Sequence, residues 1–191
     1  MIEIPCAVPG LRYAAEYLSA PEQQALLDVV DAQTWLADLR RRVQHYGYRY
    51  DYTRRTVDRS LALGPLPPWA AELAARLHRE GWVEALPDQV IVNEYMPGQG
   101  IASHIDCTPC FGDTIVSLSL GSACAMVFSH ARREEAHELL LAPGGLVVMR
   151  GESRYDWRHG IPARKSDALG GQRIARGRRV SLTFRTVILA D

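Results

Sequence analysis

The side chains best suited to chemistry begin with His104-Ile105-Asp106, where an imidazole and a carboxylate stand two positions apart. On a β-strand, such residues project to the same face, so both could bind one ion. With a second histidine they would form the two-histidine, one-carboxylate set that leaves metal positions open and is typical of non-haem Fe(II) oxygenases. His-x-Asp also arises by chance, and spacing alone cannot choose between His137 and His159 as the third ligand.

A second group of polar side chains lies near the C-terminus, in a strand-like run that begins and ends with arginine. Alternation puts four polar side chains on one face: Arg179, Ser181, Thr183 and Arg185. If this face points inward it must receive an anion, because a buried guanidinium without a partner is costly. Guanidinium forks suit carboxylate and phosphate, so the run predicts a clamp for a small acidic ligand. The alternative is an edge strand with a solvated polar face.

Two further patterns flank the His-x-Asp motif. Asn93 and Tyr95 form another i, i+2 pair that could donate hydrogen bonds to a carboxylate or keto oxygen, although both could equally be ordinary core residues. Cys107 and Cys110 have a spacing found in zinc and redox sites. Structural zinc needs four ligands, and a redox CxxC normally opens a helix in a βαβ unit, which is absent here. We therefore treat both cysteines as ordinary residues beside the metal strand.

Composition limits the class of protein. The chain has 191 residues, 47% of them apolar, which suits one globular domain over 1–191. We expect no membrane association, because no apolar stretch of about 18 residues and no leader is present. The four cysteines do not make a dense disulfide framework, so we expect a protein of the reducing cytoplasm. Zero net charge removes overall basicity as an argument for nucleic acid, yet arginines gather at 40–42, 54–59, 132–133 and 173–185. These clusters could form a phosphate-binding rim or reflect genomic composition.

The elements that must position these residues are two helices followed by many short strands. A capping-box spacing at Ser19 predicts a helix to about Asp31, and Pro67-Pro68 begins a second helix from Trp69 to about Glu80. Strands are predicted at about 11–17, 43–52, 89–96, 101–106, 114–120, 124–129, 137–142, 146–150, 153–158 and 179–188. This order predicts a mostly β protein, a double-sheet barrel with helices packed on one outer face.

Taken together, the motifs resemble the AlkB family of Fe(II)- and 2-oxoglutarate-dependent dioxygenases. The resemblance runs from about Arg42 to Ile188 and is carried by Asn93-x-Tyr95, His104-x-Asp106, the runs 117–121 and 151–155, His159-Gly160-Ile161, and Arg179 to Arg185. Within the family, the chain looks most similar to the oxygenase domain of the AlkB-type tRNA wobble-uridine hydroxylase.

The resemblance implies a double-stranded β-helix (jelly-roll) core and an iron site made by His104, Asp106 and His159. It also implies that 2-oxoglutarate and O2 are co-substrates, with succinate and CO2 released. Arg179 would pair with the distal carboxylate of 2-oxoglutarate and Arg185 would lie near its chelating end. The other residues expected to contact this co-substrate are Asn93, Tyr95, Ser181 and Thr183.

The implied substrate is a modified base in nucleic acid. RNA, and tRNA in particular, is favoured slightly over DNA, and we expect the protein to act as a monomer. Tyr48, Tyr50 and Arg133 match substrate-side positions of the family. Two positions depart from its base-repair members: Thr108 stands where an acidic residue is common, and Arg41 or Arg42 where an aromatic residue stacks on the base. Two alternatives stay open, an oxygenase acting on a small molecule or protein, and a non-catalytic module of the same fold that senses ligands.

Overall fold

Three α-helices and a short 3-10 helix over Arg59–Leu61 appear in the computed structural model, which describes residues 3–4, 6–37 and 40–189. Helix α1 spans Ala20–Asp31, and Glu22 accepts hydrogen bonds from the Ser19 backbone N–H (2.8 Å) and hydroxyl (2.6 Å), as the capping-box spacing predicted. Helix α2 spans Pro68–Arg79 and buries one stripe of alanines and leucines. Helix α3, Glu152–Tyr155, is a single turn. Within the described residues, no helix combines the length and apolar character needed to cross a membrane.

Thirteen strands are described: β1 Glu3–Ile4, β2 Leu11–Ala14, β3 Val43–Tyr46, β4 Gln89–Tyr95, β5 Ile101–His104, β6 Ile115–Gly121, β7 Cys124–His130, β8 Ala136–Leu141, β9 Leu146–Met149, β10 Trp157–Ile161, β11 Ser166–Leu169, β12 Gln172–Ala175 and β13 Arg179–Arg185. They form a seven-stranded sheet in the order β1-β2-β9-β6-β13-β4-β3, a four-stranded sheet in the order β5-β10-β7-β8, and the β11-β12 hairpin. All the pairings are antiparallel.

The core has two apolar layers on opposite sides of the large sheet. One layer packs α1 and α2 against that sheet and contains Val180, Leu182 and Phe184 of β13. The other layer includes Phe128 and Trp157 of the small sheet. Strand β13 is not an edge strand, because it lies between β6 and β4 in the large sheet. Its apolar side chains face the helices, so the alternate face, which carries the arginines, points away from them. The edge-strand alternative is therefore wrong, and the predicted helices on one outer face are confirmed.

Three strand predictions need correction. The strand expected over 101–106 ends at His104, so Asp106 does not share a strand face with that histidine. Residues 153–158 were expected to form a strand, but 152–155 form α3 and the strand begins at Trp157, because the Ser153 hydroxyl donates to Arg150 O (2.8 Å) and closes a turn after Gly151. The strand expected over 43–52 ends at Tyr46, because Gly47 has a φ of +75°, outside the extended region. Only glycine fits there, since a Cβ would lie 1.8 Å from the Asp88 carbonyl oxygen. The β11-β12 hairpin was not predicted.

Candidate active site

His104 and His159 face each other across two neighbouring strands. They are directly paired in the β5-β10 register, and their ring centroids are 4.5 Å apart. Close approach of the strands depends on Gly160, where an added Cβ would lie 2.9 Å from Ser103 Cα. His104 Nδ1 lies 2.8 Å from Ala102 O, which can only accept, so Nδ1 carries the proton. The lone pair of His104 Nε2 is then left available to a ligand.

Asp106 lies two residues beyond the end of β5 and completes this polar cluster. Its Oδ2 is 3.9 Å from His159 Nε2, and its Oδ1 accepts a 3.0 Å hydrogen bond from Arg185 Nη1. Burial alone would raise the pKa of Asp106, but the attraction of Arg185 outweighs it, together with smaller effects of His159, His104 and Arg154, so the pKa lies below its usual value. Burial lowers the pKa of His159 to about 4. At neutral pH the cluster therefore offers a carboxylate and a neutral imidazole.

The donor set suits a divalent transition metal, since two imidazoles and one carboxylate are the usual ligands of non-haem iron. Within 3–4, 6–37 and 40–189, no three or more His, Cys, Asp or Glu side chains are so arranged that they could hold a metal ion as they stand. One Asp106 oxygen is engaged by Arg185 instead. His137, the other candidate, lies on β8, where it pairs with Phe128 of β7 and contacts Glu135 at 3.2 Å. The assignment of His104, Asp106 and His159 as metal ligands stays a prediction.

Arg179 supplies a buried cationic group with unmet hydrogen-bonding capacity. Arg179 is only 2% exposed, and its Nη2 atom donates a 2.9 Å hydrogen bond to Ser119 Oγ. The Nε and Nη1 atoms are buried and find no acceptor among the described residues. Its guanidinium carbon is 5.4 Å from the centre of the Tyr95 ring. Because orphaned buried donors are costly, this geometry suits an anionic ligand such as a carboxylate.

A cavity of about 850 Å³ joins these groups. Its lining includes all the residues predicted to hold iron or 2-oxoglutarate: Asn93, Tyr95, His104, Asp106, His159, Arg179, Ser181, Thr183 and Arg185. The Asn93 Oδ1 atom is already engaged, accepting a 2.8 Å hydrogen bond from Arg41 Nε. The tertiary structure thus gathers two motifs that lie more than 70 positions apart in the chain into one chamber.

The predicted substrate residues fare differently. Tyr50 lines the cavity, whereas Tyr48 and Arg133 are not among its lining residues. The Tyr48 ring packs against the apolar layer that contains Phe128 and Trp157. Arg133 lies at the β7-β8 turn, where it contacts Glu135 at 3.4 Å and Glu152 at 3.9 Å. Tyr52 lines the cavity and was missed. The alternating tyrosines at 48, 50 and 52 were the signal that could have found it.

The cavity also carries positive charge that the sequence did not locate. Five arginines line it: Arg41, Arg55, Arg158, Arg179 and Arg185. Many other arginines are neutralised, as in Arg178 with Asp31 and Glu94. Arg55 and Arg158 are exposed, and no described residue forms an ion pair with either guanidinium. Uncompensated guanidinium groups at a cavity attract anionic partners.

Arg154 fixes the loop that follows Asp106, a role that the sequence did not reveal. Although it is only 2% exposed, its guanidinium donates to four backbone carbonyls at 3.0–3.4 Å, those of Asp106, Cys107, Phe111 and Gly112. These bonds hold the backbone of 106–112 in place. Arg154 is therefore a positioning residue for Asp106.

The prediction that Cys107 and Cys110 are ordinary residues is wrong, because they form a disulfide bond. The turn Cys107–Cys110 closes with a 3.2 Å hydrogen bond from the Cys110 N–H to Cys107 O and brings the two Cα atoms to 5.2 Å, a normal disulfide separation. Cys6 and Cys124 remain free thiols. The disulfide begins one residue after Asp106.

Comparison with known proteins gives a family and a fold. The sequence profile of the 2OG-Fe(II) oxygenase superfamily matches residues 10–185. The chain is similar to the mouse protein named tRNA (carboxymethyluridine(34)-5-O)-methyltransferase ALKBH8, with 38% identity over 206 residues that cover 94% of this chain and 30% of the relative. It is also similar to the Arabidopsis thaliana protein named Alkylated DNA repair protein ALKBH8 homolog, with 36% identity over 210 residues that cover 98% of this chain and 61% of the relative.

The chain therefore spans about a third and about three fifths of the lengths of these two relatives. Among solved structures, that of OsALKBH1 superposes with a TM-score of 0.70 at 18% identity, covering 97% of this chain and 100% of the other. At that identity the likeness shows the fold alone, and it confirms the predicted double-stranded β-helix core.

Proposed function

Because the chain belongs to the 2OG-Fe(II) oxygenase superfamily and has AlkB-type relatives, we propose that it oxidises a modified base in nucleic acid, by demethylation or hydroxylation. The chain is thus an oxidoreductase of the dioxygenase type, and its family implies Fe(II) and 2-oxoglutarate. The observation that carries the proposal is the pair of orphaned donors on buried Arg179, in the same cavity as His104, Asp106 and His159.

In this proposal, His104, Asp106 and His159 would hold the iron. The hydrogen bond of His104 Nδ1 to Ala102 O fixes the tautomer of one ligand, and burial keeps His159 neutral. Bound iron and 2-oxoglutarate would supply the activation of O2, coupling loss of CO2 from the oxo acid to oxidation of a substrate C–H bond. Hydroxylation of an N-methyl group would give a hemiaminal that loses formaldehyde, whereas hydroxylation of a carbon-linked group would persist.

The residues of the clamp would bind and orient the co-substrate. Arg179 would receive one carboxylate on Nε and Nη1, while Ser119 keeps its fork in place through the 2.9 Å bond to Nη2. Arg185, Asn93 and Tyr95 lie in the same cavity and would contact the other end and the flanks. The hydroxyls of Ser181 and Thr183 line the floor between the two arginines.

Nucleic acid is the proposed substrate class, with RNA placed ahead of DNA. Two observations support it: the unpaired guanidinium groups of Arg55 and Arg158 at the cavity, and relatives whose names refer to tRNA and to alkylated DNA. Tyr50 and Tyr52 also line the cavity, and their rings could stack on a base. The oxidation, rather than the methyl transfer in the mouse relative's name, follows from the oxygenase family match.

The test is formation of succinate that requires both Fe(II) and 2-oxoglutarate, combined with mass spectrometry of nucleosides from tRNA and from methylated oligonucleotides before and after incubation. Loss of a methylated nucleoside, or appearance of a hydroxylated one, together with succinate identifies the substrate. Succinate formation that persists in His104→Ala and Asp106→Ala would contradict the assigned centre. Turnover of 2-oxoglutarate without change in any nucleoside would contradict the substrate class.

A further inference from the structure

The disulfide and the cavity are connected through one backbone carbonyl. Cys107 Sγ lies 3.3 Å and Cys110 Sγ 3.4 Å from Arg55 O. Arg55 belongs to a turn closed by the Asp51–Thr56 bridge, which we term the rim hairpin (residues 51–56). Its members Tyr52 and Arg55 line the cavity, and so does Cys107. The two sulfurs therefore lie between the rim hairpin and the loop after Asp106.

The rim hairpin is a mostly exposed segment, held mainly by hydrogen bonds within itself and by the Tyr52 ring, which packs against Tyr50. Arg55 has a φ of +55°, the left-handed region that costs energy in a residue with a side chain. The hairpin closes with backbone hydrogen bonds of 3.1 and 3.3 Å between Asp51 and Thr56, and residues 52–55 are exposed. Segments with few buried contacts and solvent-exposed hydrogen bonds open at low free energy. One extra bond to Arg55 O would thus matter to its order.

Oxidation state decides whether that bond can exist. A thiol is a weak hydrogen-bond donor, but a disulfide sulfur has no proton to donate. In the disulfide form, the Arg55 carbonyl oxygen faces two sulfurs without gaining a bond from either. In the dithiol form, either sulfur can donate to it. On the other side, Arg154 already holds the carbonyls of Asp106 and Cys107, so the change should be felt by the rim hairpin.

We propose that Cys107 and Cys110 are a redox-active pair whose dithiol form ties the rim hairpin to the loop after Asp106 and so favours binding of the substrate. The reductant is a low-molecular-weight thiol. One thiol attacks the Cys107 sulfur, which lines the cavity; the S–S bond breaks, Cys110 leaves and takes up a proton, and a mixed disulfide forms. A second thiol displaces Cys107 as a thiol. In total, two thiols lose two electrons and two protons to the protein and become one disulfide.

The first test is hydrogen exchange with mass spectrometry on metal-free protein equilibrated in oxidised or reduced glutathione, with differential alkylation to count thiols. Alkylation should show the two cysteines converting together in one two-electron transition. Amides of 51–56 should exchange about threefold more slowly in the reduced form, as expected for one added weak hydrogen bond. Equal exchange in the two forms, or cysteines that titrate independently, would overturn the proposal.

Two variants sharpen this test. The double variant Cys107→Ala with Cys110→Ala lacks both donors, so its 51–56 amides should exchange at the oxidised rate in either buffer. Cys6→Ser is the matched control, because it removes a free thiol outside the pair and should leave the redox response intact. If the double variant does not fold, as judged by circular dichroism, the comparison of the two wild-type forms decides the matter alone.

The second test concerns the substrate and rests on the proposed function. Fluorescence anisotropy should give a Kd for a labelled RNA oligonucleotide about threefold lower for the reduced than for the oxidised wild type. An equal Kd in both forms would overturn the link to substrate binding. Exchange and alkylation need neither iron nor 2-oxoglutarate, so a protein that shows the redox response but forms no succinate would contradict the proposed function and leave this inference standing.

Discussion

Arg185 donates a 3.0 Å hydrogen bond to Asp106, so an arginine of the proposed co-substrate clamp contacts a proposed iron ligand directly. Arg185 also lies with its guanidinium carbon 4.0 Å from the centre of the Phe111 ring, on the loop that Arg154 secures. The ion pair helps to lower the pKa of Asp106 despite its burial. The carboxylate is thereby kept anionic, as a ligand of a divalent cation must be.

Removing a proposed iron ligand should abolish turnover. His104→Ala and Asp106→Ala should each lower the rate of succinate formation at least about a hundredfold, because loss of one of three ligands weakens the binding of iron. The rate is measured with saturating Fe(II) and 2-oxoglutarate, alongside circular dichroism to confirm folding. His78→Ala is the matched control, since His78 is exposed on α2 and should keep wild-type turnover. Wild-type rates in the two ligand variants would rule out this centre.

The clamp should be sensitive to the shape of its cation. Arg179→Lys should raise the KM for 2-oxoglutarate at least about tenfold, because a point charge replaces a bidentate fork. Ser119→Ala removes only the bond that orients Arg179 and should raise the same KM about fivefold. In both variants kcat should change less than KM. An unchanged KM in Arg179→Lys would show that the orphaned donors do not face the co-substrate.

Arg154 should matter to stability as well as to position. Arg154→Met removes one hydrogen bond from each of four backbone carbonyls and should lower the free energy of unfolding by about 3 kcal/mol, measured by urea denaturation. Arg79→Met, at an exposed position of α2, should change it by less than about 0.5 kcal/mol. Equal stabilities of the two variants would contradict the bracing role.

Asp167, on strand β11, should make the stability of the protein decrease at acid pH. Burial alone would raise the pKa of Asp167, but hydrogen bonds from Arg176 (2.6 and 2.7 Å), the Ala125 N–H and Arg164 outweigh it and lower the pKa from 3.8 to about 2. The unfolded state then binds more protons between these values, so about 2 kcal/mol of stability present above pH 4 is lost as the pH falls to 2.

Urea denaturation across that range, on wild type and Asp167→Asn, measures the contribution of Asp167. The difference in stability between the two proteins should shrink as the pH falls from 4 to 2. Glu84→Gln, which changes an exposed carboxyl group, is the control and should track the wild type. A difference that stays constant with pH would show that the Asp167–Arg176 pair is not the source.

Phosphate contacts at the cavity should appear in the salt dependence of RNA binding. Arg158→Ala should weaken binding of an oligonucleotide and reduce the slope of log Kd against log salt by about 1, because one fewer counterion is released. Fluorescence anisotropy at several salt concentrations gives the slope, with Arg79→Ala as control. A wild-type slope near zero would favour the alternative of a small-molecule or protein substrate.

Local patterns in the sequence determined much of the fold. The capping box at Ser19 and the apolar stripe of α2 depend on neighbours within one or two turns, so they could be read directly. The two-faced character of β13 follows from alternation alone, and the structure confirms it by placing Leu182 against the helices and Arg179 in the cavity. Local alternation failed at 153–158, because Gly151 and the Ser153 hydroxyl favour a turn there.

Only the tertiary structure decided which distant residues meet. Spacing left His137 and His159 equal, and the β5-β10 register placed His159 opposite His104. The same holds for Arg154, whose four acceptors lie more than 40 positions earlier in the chain, and for the contact of the Cys107–Cys110 pair with Arg55. A sequence pattern gives the direction of a side chain relative to its own backbone. What that side chain touches depends on strand order and register, which are set by packing of the whole chain.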